Sequence, residues 1–167
     1  MTIFELLAKQ HVEVEAGFRE IHTALERMDH RRARVLFAAL STKLLACMRS
    51  EHAVVYPSFA YHAGLADEIK RAVREHDKIE QSINHLRLIP LAPDAWRGAL
   101  TRLQFLVAEH LETEEWILFP VARLRLSTEQ AQQLATRYSA HVIIALPTTA
   151  CSITYEPSVD VTPVRAA

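Results

Sequence analysis

The sequence predicts an all-α protein: an up-down-up-down four-helix bundle with a short fifth helix and an irregular C-terminal tail. Four segments of the 167-residue chain carry apolar residues at alternating steps of three and four, the spacing that places them on one face of a helix. No run alternates apolar and polar residues as a half-buried strand would, and only 3 glycines are available for the tight turns of a sheet. We expect residues 1–126 to form the bundle, residues 127–145 an additional helix and residues 146–167 the tail.

The first helix opens on a capping pattern. Thr2 followed by Glu5 predicts a capping box, in which each side chain bonds the backbone N–H of the other residue. Asp29 is expected to mark the end of this helix or the N-cap of the next. The predicted inward stripe comprises Phe4, Leu7, His11, Val14, Phe18, Ile21, Leu25 and Met28.

The second helix is expected to stop or kink near Pro57, before Gly64, because proline lacks a backbone donor and crowds the preceding turn. Its predicted stripe comprises Phe37, Leu40, Leu44, Cys47, Glu51 and Val54.

Three further helices follow. Asp67 and Asp94 are the predicted N-caps of the third and fourth, which the two prolines of the segment LIPLAPD separate. Ser127 with Gln130 predicts a fifth helix through about Ala145. The predicted stripes are Ile69, Ala72, His76, Ile79, Ile83 and Leu86 for the third helix, and Leu100, Leu103, Val107, His110, Glu114, Ile117 and Val121 for the fourth.

Composition excludes several classes of protein. With 19 basic and 20 acidic side chains the net charge is -1, so the strongly basic face of a nucleic-acid binder is not expected. Two cysteines, Cys47 and Cys151, are too few for a disulfide-rich secreted scaffold. The N-terminus lacks the pattern of a signal peptide, and no run of ~20 apolar residues could span a membrane. We therefore expect a single-domain cytoplasmic protein that does not associate with membranes.

The chain also repeats itself. CMRSEHAVVYP, residues 47–57, aligns without gaps to HLETEEWILFP, residues 110–120. HVEVE, residues 11–15, aligns likewise with HDKIE, residues 76–80. The first two helices therefore resemble a copy of the third and fourth.

Polar residues interrupt all four hydrophobic stripes at a similar height. His11 and His76 lie about two turns from the starts of their helices, whereas Glu51 and Glu114 lie two to three turns before the ends of theirs. In an antiparallel bundle these positions converge, and His110 points to the same place because it precedes Glu114 by four residues.

Two carboxylates buried in such a layer need compensation, since an unpaired buried charge costs several kcal/mol. A metal ion supplies it: mixed nitrogen and oxygen ligands on facing helices suit iron, manganese or zinc, and two carboxylates suit a pair of ions. A metal-free network of buried ion pairs is the alternative.

In these residues the chain resembles the hemerythrin-like, or HHE cation-binding, domains over residues 3–124. Those domains use one His from the first helix, His-x3-Glu from the second, one His from the third and His-x3-Glu from the fourth, and HLETEEWILFP is the closest match. The resemblance implies a non-haem centre of two iron ions with an oxo or hydroxo bridge. The ligands it implies are His11, His76 and His110 as terminal ligands, with Glu51 and Glu114 as bridges.

The departure from the pattern is Cys47, which stands where the second helix should carry its histidine, four residues before Glu51. Three interpretations are open. Cys47 could bind metal as a thiolate. It could be an inert core residue that leaves one metal short of a ligand, so that only one ion is held tightly. Alternatively, His52 or Tyr56 could reach in from one or two turns further on.

Glu15 and Glu80 follow His11 and His76 by four residues in both copies of the repeat. They could accept hydrogen bonds from the imidazole N–H groups or serve as extra ligands. The alternative is that both are solvated residues on the flank of the bundle.

The resemblance implies a protein that binds dioxygen, as a carrier or as an oxygen or redox sensor, rather than an enzyme with an organic substrate. The expected partner is dioxygen or another small diatomic molecule, and the chain is expected to be a monomer or homodimer. Two alternatives are peroxide or nitric-oxide turnover at an incomplete iron site, and a structural bundle with one metal or none.

Overall fold

The computed structural model describes residues 1–89 and 93–146, and over these residues the chain is all-α, as predicted. Two π-helical turns, Glu51–Val55 and Glu114–Leu118, join successive α-helices without a break, so five continuous helical rods result. Residues 90–92, in the middle of the predicted break LIPLAPD, and nearly all of the predicted tail lie outside the described residues. The helices are α1 (Ile3–Glu26), α2 (His30–Ser50), α3 (Tyr56–Ala63), α4 (Ala66–Leu88), α5 (Pro93–Thr113), α6 (Phe119–Arg125) and α7 (Thr128–Ala145).

Three helix starts follow the sequence signals. Thr2 and Glu5 form the predicted capping box at α1, and Ser127 forms another with Gln130 at α7. Asp29 caps α2 by accepting a hydrogen bond from the backbone N–H of Arg32. The fifth helix is therefore confirmed as a separate element with its own N-terminal cap.

Two predicted caps are wrong by a short distance. Leu65 is the N-cap of α4, and Asp67 lies in the first turn. Helix α5 begins at Pro93, which proline's fixed φ favours at a first helical position, so Asp94 also lies in the first turn. Both carboxylates remain at a helix N-terminus, where the helix dipole stabilises negative charge.

The helices pack in two pairs, α1 with α2 and α4 with α5, and α7 lies against α1 and α2. The core consists of two apolar clusters. One contains Val14, Leu44, Ile79 and Val107, and the other contains residues such as Leu7, Val54, Ala72 and Leu118. On each of the four long helical rods a polar residue of the predicted layer separates the members of the two clusters, whereas α7 contributes only to the second cluster.

The kink expected near Pro57 takes the form of a π-turn. A proline ring collides with the carbonyl four residues earlier in an α-helix. Glu51–Val55 contains that carbonyl for Pro57, and Glu114–Leu118 contains it for Pro120. Each turn widens so that its first carbonyl accepts a hydrogen bond from the backbone N–H five residues later. Beyond the first of these turns the helix continues to Gly64, which adopts the left-handed conformation.

The second π-turn also shifts the inward stripe. Ile117 and Val121, predicted to face the core, are 39% and 36% exposed. Leu118 and Ala122, one position later, are fully buried in their place. A π-turn adds one residue to the helix, and one residue is a rotation of ~100°. Met28 is also exposed, because α1 ends at Glu26 and the chain turns away.

Among the described residues, no helix combines the length and the apolarity needed to cross a bilayer.

Candidate metal centre

Five side chains of the predicted layer are buried together between the two apolar clusters. Each is 5% exposed or less, although all five are ionisable. The structure therefore brings together residues from all four long helical rods at one level. They are His11, Glu51, His76, His110 and Glu114.

The layer follows the twofold repeat of the sequence. Nε2 of His11 lies 3.2 Å from a carboxylate oxygen of Glu114, and Nε2 of His76 lies 3.3 Å from a carboxylate oxygen of Glu51. Each half of the repeat thus contributes the histidine to one pair and the glutamate to the other. The aromatic rings match as well, since Phe119 stacks on His11 as Tyr56 stacks on His76.

Three donor atoms of the layer converge on one point. Glu51, His76 and His110 each offer a ligand atom, and these atoms lie within 4.8 Å of one another. The Nε2 atoms of His76 and His110 are only 2.7 Å apart, so one of them must present its lone pair to the other. Nitrogen and oxygen donors at this spacing match the environment of a transition-metal ion.

The outer nitrogen of each imidazole also has a partner. Nδ1 of His11 lies 2.7 Å from Glu115, and Nδ1 of His110 lies 3.2 Å from Glu75. Nδ1 of His76 lies 2.8 Å from Nε2 of His52, so His52 contacts the outer side of that imidazole and does not occupy the place of the missing histidine. A partner on Nδ1 fixes the orientation of the ring and leaves Nε2 directed inward.

Glu15 and Glu80 are not the residues that contact the imidazoles. Glu15 is exposed, and its carboxylate lies 3.9 Å from the guanidinium of Arg19, so it is a solvated residue on the flank of the bundle. Glu80 is half-buried, and within the described part of the chain it makes no hydrogen bond to a histidine.

Sequence reasoning missed Glu75 and Glu115, although the repeat offered a signal for both. Glu75 directly precedes His76, and Glu115 directly follows Glu114. Their equivalents in the other half of the repeat are Gln10 and His52. His52 contacts His76 as Glu115 contacts His11, and Gln10 contacts Cys47 as Glu75 contacts His110.

Tyr56 reaches into the layer, but not at the place where it could substitute for the missing histidine. Its buried hydroxyl donates to Glu114 at 2.9 Å and lies 3.3 Å from Nε2 of His76. This places Tyr56 beside His76 and Glu114, and not at the position that Cys47 leaves short of a histidine.

Cys47 is buried, and its Sγ lies 3.8 Å from the side-chain oxygen of Gln10. Burial and the Glu51 carboxylate raise the pKa of the thiol to about 11, so without a cation it stays protonated at neutral pH. A cavity of about 20 Å³ lies next to it, lined by Gln10, His11, Glu51 and His110 among others. That volume is enough for about one water-sized molecule.

In the metal-free chain, burial and the neighbouring charges shift the pKa of each histidine in the layer. Burial opposes a charge on His11, but the neighbouring carboxylates of Glu114 and Glu115 outweigh it and raise its pKa to about 9. Burial likewise opposes a charge on His110, but Glu114 and Glu75 raise its pKa. Burial and the neighbouring His110 hold the pKa of His76 well below its usual value.

Two inward atoms remain unsatisfied in this arrangement. Nε2 of His11 and Oε2 of Glu114 are fully buried and lie 3.2 Å apart, but they are not aligned for a hydrogen bond, and neither atom has another hydrogen-bond partner among the described residues. A buried polar atom without a partner costs ~1–3 kcal/mol, so a native structure normally gives it a ligand, a water or an ion. These two atoms face each other, and both are of types that bind iron, manganese or zinc. The residues therefore fit a metal ion.

Comparison with known proteins agrees with this geometry. The family model for the hemerythrin HHE cation-binding domain matches residues 2–122. A curated protein of Nostoc sp. (strain PCC 7120), named DNA nickase, is 26% identical over 141 residues. That match covers 84% of this chain but 39% of the Nostoc protein, so the chain spans about two-fifths of its relative's length. No solved structure matches the chain significantly.

The family model covers most of the chain, including every residue of the buried layer, and the family binds metal cations. The chain is thus a member of the hemerythrin HHE cation-binding domain family.

Proposed function

We propose that the chain binds a pair of iron ions in the buried layer and that dioxygen binds at this pair. His76 and His110 would hold one ion, and His11 would hold the other. Glu51 and Glu114 would serve both ions. The observation that carries the proposal is that Nε2 of His11 and Oε2 of Glu114 face each other 3.2 Å apart, both buried and not aligned for a hydrogen bond.

Two ions, rather than one, are supported by the distribution of the donor atoms. Glu51, His76 and His110 form a compact group, whereas His11 and Glu114 meet separately. Two carboxylates shared between the groups suit a dinuclear site in a helical bundle. A ferrous pair would supply the electrons that bind dioxygen, and the apolar clusters on both sides of the layer would keep bulk water away from it.

The outer-shell acceptors supply a first test of the ligand assignment. Replacing Glu75 with Gln removes the charged acceptor of His110, and we expect the affinity for ferrous iron to fall ~10–100-fold. Replacing Glu15 with Gln is the matched control and should leave the affinity unchanged, because Glu15 lies exposed on the flank. Equal affinities for the two variants would argue against His110 as a ligand. Anaerobic competition with a chromophoric chelator measures both.

The dioxygen proposal is tested with protein that has been loaded with ferrous iron under anaerobic conditions. We expect two irons per chain and a visible charge-transfer band that appears on exposure to dioxygen and disappears when the gas is removed. One iron per chain or less would contradict the paired site. A band that forms irreversibly would contradict reversible dioxygen binding.

The cavity beside Cys47 favours a second candidate function. An ion held by His11 has a cysteine where the family supplies a histidine, and about 20 Å³ of space adjoins it. An ion short of one ligand can bind and turn over peroxide or nitric oxide. Consumption of peroxide by the iron-loaded protein, measured beside the dioxygen experiment, separates this candidate from the first.

The nicking activity named for the Nostoc relative is not extended to this chain, which covers 39% of that protein and has a net charge of -1.

A further inference from the structure

A tyrosine of the fifth helix lies in the half of the site that contains Cys47. Tyr138 lies on α7 and is completely buried. Its hydroxyl donates to the side-chain oxygen of Gln10 at 2.7 Å and lies 3.4 Å from a carboxylate oxygen of Glu51. Helix α7 lies outside the sequence repeat. The repeat therefore provides no equivalent of Tyr138 for the half of the site that contains His110.

The surroundings of this hydroxyl match those of His110 in the other half. His110 lies between Glu75, 3.2 Å from its Nδ1, and Glu114, 3.9 Å from its Nε2. In the repeat, Gln10 is the equivalent of Glu75, and Glu51 is the equivalent of Glu114. Tyr138 thus faces the same two positions that the imidazole of His110 faces, although it reaches them from a different helix.

We propose that the phenol oxygen of Tyr138 replaces the histidine missing at position 47 and binds a metal ion together with His11 and Glu51. This inference rests on the proposed function, because it requires a second ion in this half of the site. A tyrosine oxygen is an established ligand of iron in proteins. On metal binding the O–H bond breaks, the oxygen bonds to the metal and one proton is released to solvent.

The difference between Gln10 and Glu75 supports this assignment. An imidazole ligand donates its outer N–H, so His110 benefits from the carboxylate acceptor of Glu75. A phenolate is negatively charged and accepts hydrogen bonds instead. Gln10 can rotate its amide to donate an N–H to that oxygen, whereas a carboxylate in the same place could only repel it.

Tyr138 suits this role better than Cys47 does. The phenol hydroxyl contacts both Gln10 and Glu51, whereas the thiol has a hydrogen-bond contact only with Gln10 among the described residues. Burial and the Glu51 carboxylate raise the pKa of Tyr138 far above its usual value, so the phenol keeps its proton in the metal-free chain. Coordination to a cation reverses that balance, as it does for metal-bound water and thiols.

The test compares three single variants with the unmodified chain. Each protein is loaded with ferrous iron without air, oxidised with ferricyanide, and analysed for iron content and for phenolate vibrations by resonance Raman spectroscopy. Tyr138→Phe keeps the buried ring and removes only the oxygen. Tyr56→Phe removes the other buried hydroxyl of the site, and Tyr61→Phe alters an exposed tyrosine.

We expect phenolate vibrations in the unmodified chain and in the Tyr56→Phe and Tyr61→Phe variants. In Tyr138→Phe they should be absent, and the more weakly bound iron should lose at least ~10-fold in affinity. Vibrations that persist in Tyr138→Phe, or that vanish in Tyr56→Phe, would overturn the assignment. So would two bound irons without any phenolate signal, an outcome that leaves the proposed iron pair standing. A chain that binds no iron would refute both proposals.

Discussion

The double substitution His76→Ala and His110→Ala is expected to abolish iron binding at the half of the site where these two imidazoles meet Glu51. It should also remove the gain in stability that iron binding there provides. These two imidazoles supply two of the three donor atoms that lie within 4.8 Å of one another. Only the carboxylates of Glu51 and Glu114 would remain, and carboxylates without an imidazole bind a ferrous ion much more weakly. We therefore expect at most one weakly bound iron per chain.

The effect on stability is large because a ligand that binds only the folded chain stabilises it. Ferrous iron at about 1,000 times its dissociation constant adds ~4 kcal/mol to the free energy of unfolding. Anaerobic urea unfolding with and without iron should show this difference for the unmodified chain and little or none of it for the variant.

The matched control removes two histidines that lie on the surface. His62→Ala with His85→Ala leaves the layer intact, since both side chains are exposed. This control should bind iron and gain stability as the unmodified chain does. If both double variants respond to iron alike, the layer is not the metal site.

Replacing Trp96 with alanine is expected to destabilise the fold by ~3–5 kcal/mol, the cost of removing a large aromatic side chain from a packed core. Trp96 is 1% exposed and packs edge-to-face against Phe37, with ring centroids 5.6 Å apart. It belongs to the apolar cluster that contains Val14 and Leu44, on one side of the polar layer. Urea unfolding of the iron-free protein measures the loss.

Trp116 provides the control for this substitution. It is 78% exposed, so Trp116→Ala should change the free energy of unfolding by no more than ~0.5 kcal/mol. Similar losses of unfolding free energy in the two variants would mean that Trp96 does not stabilise the core as its burial indicates.

The layer itself was predictable because it depends on local periodicity. Polar residues in apolar stripes, at known distances from the helix ends, are sufficient to align His11, Glu51 and His76 once the helices are antiparallel. The start of α7 was equally predictable, because a capping box involves residues only three positions apart.

Positions beyond Glu114 could not be predicted from a uniform helical period. The π-turn adds a residue to the helix, and the core therefore buries Leu118 where the period selects Ile117. The proline six residues after each glutamate was the signal for this turn in both halves. Its effect on the register depends on how the helix relieves the proline clash, which the spacing of apolar residues does not specify.

The outer shell depended on contacts between distant residues. Glu115 and His11 are 104 positions apart, and Tyr138 and Gln10 are 128 apart, so no spacing rule within one helix relates them.

The sequence by itself determined the helical bundle and the layer of histidines and glutamates, because both are encoded in the period of each helix and in the repeat between helix pairs, and the resemblance of those residues indicated the family. Only the tertiary structure decided which carboxylates hold the imidazoles and that a tyrosine from the fifth helix faces the place of the missing histidine. Those contacts depend on how whole helices are rotated and packed against one another, and that packing is a property of the folded chain as a unit.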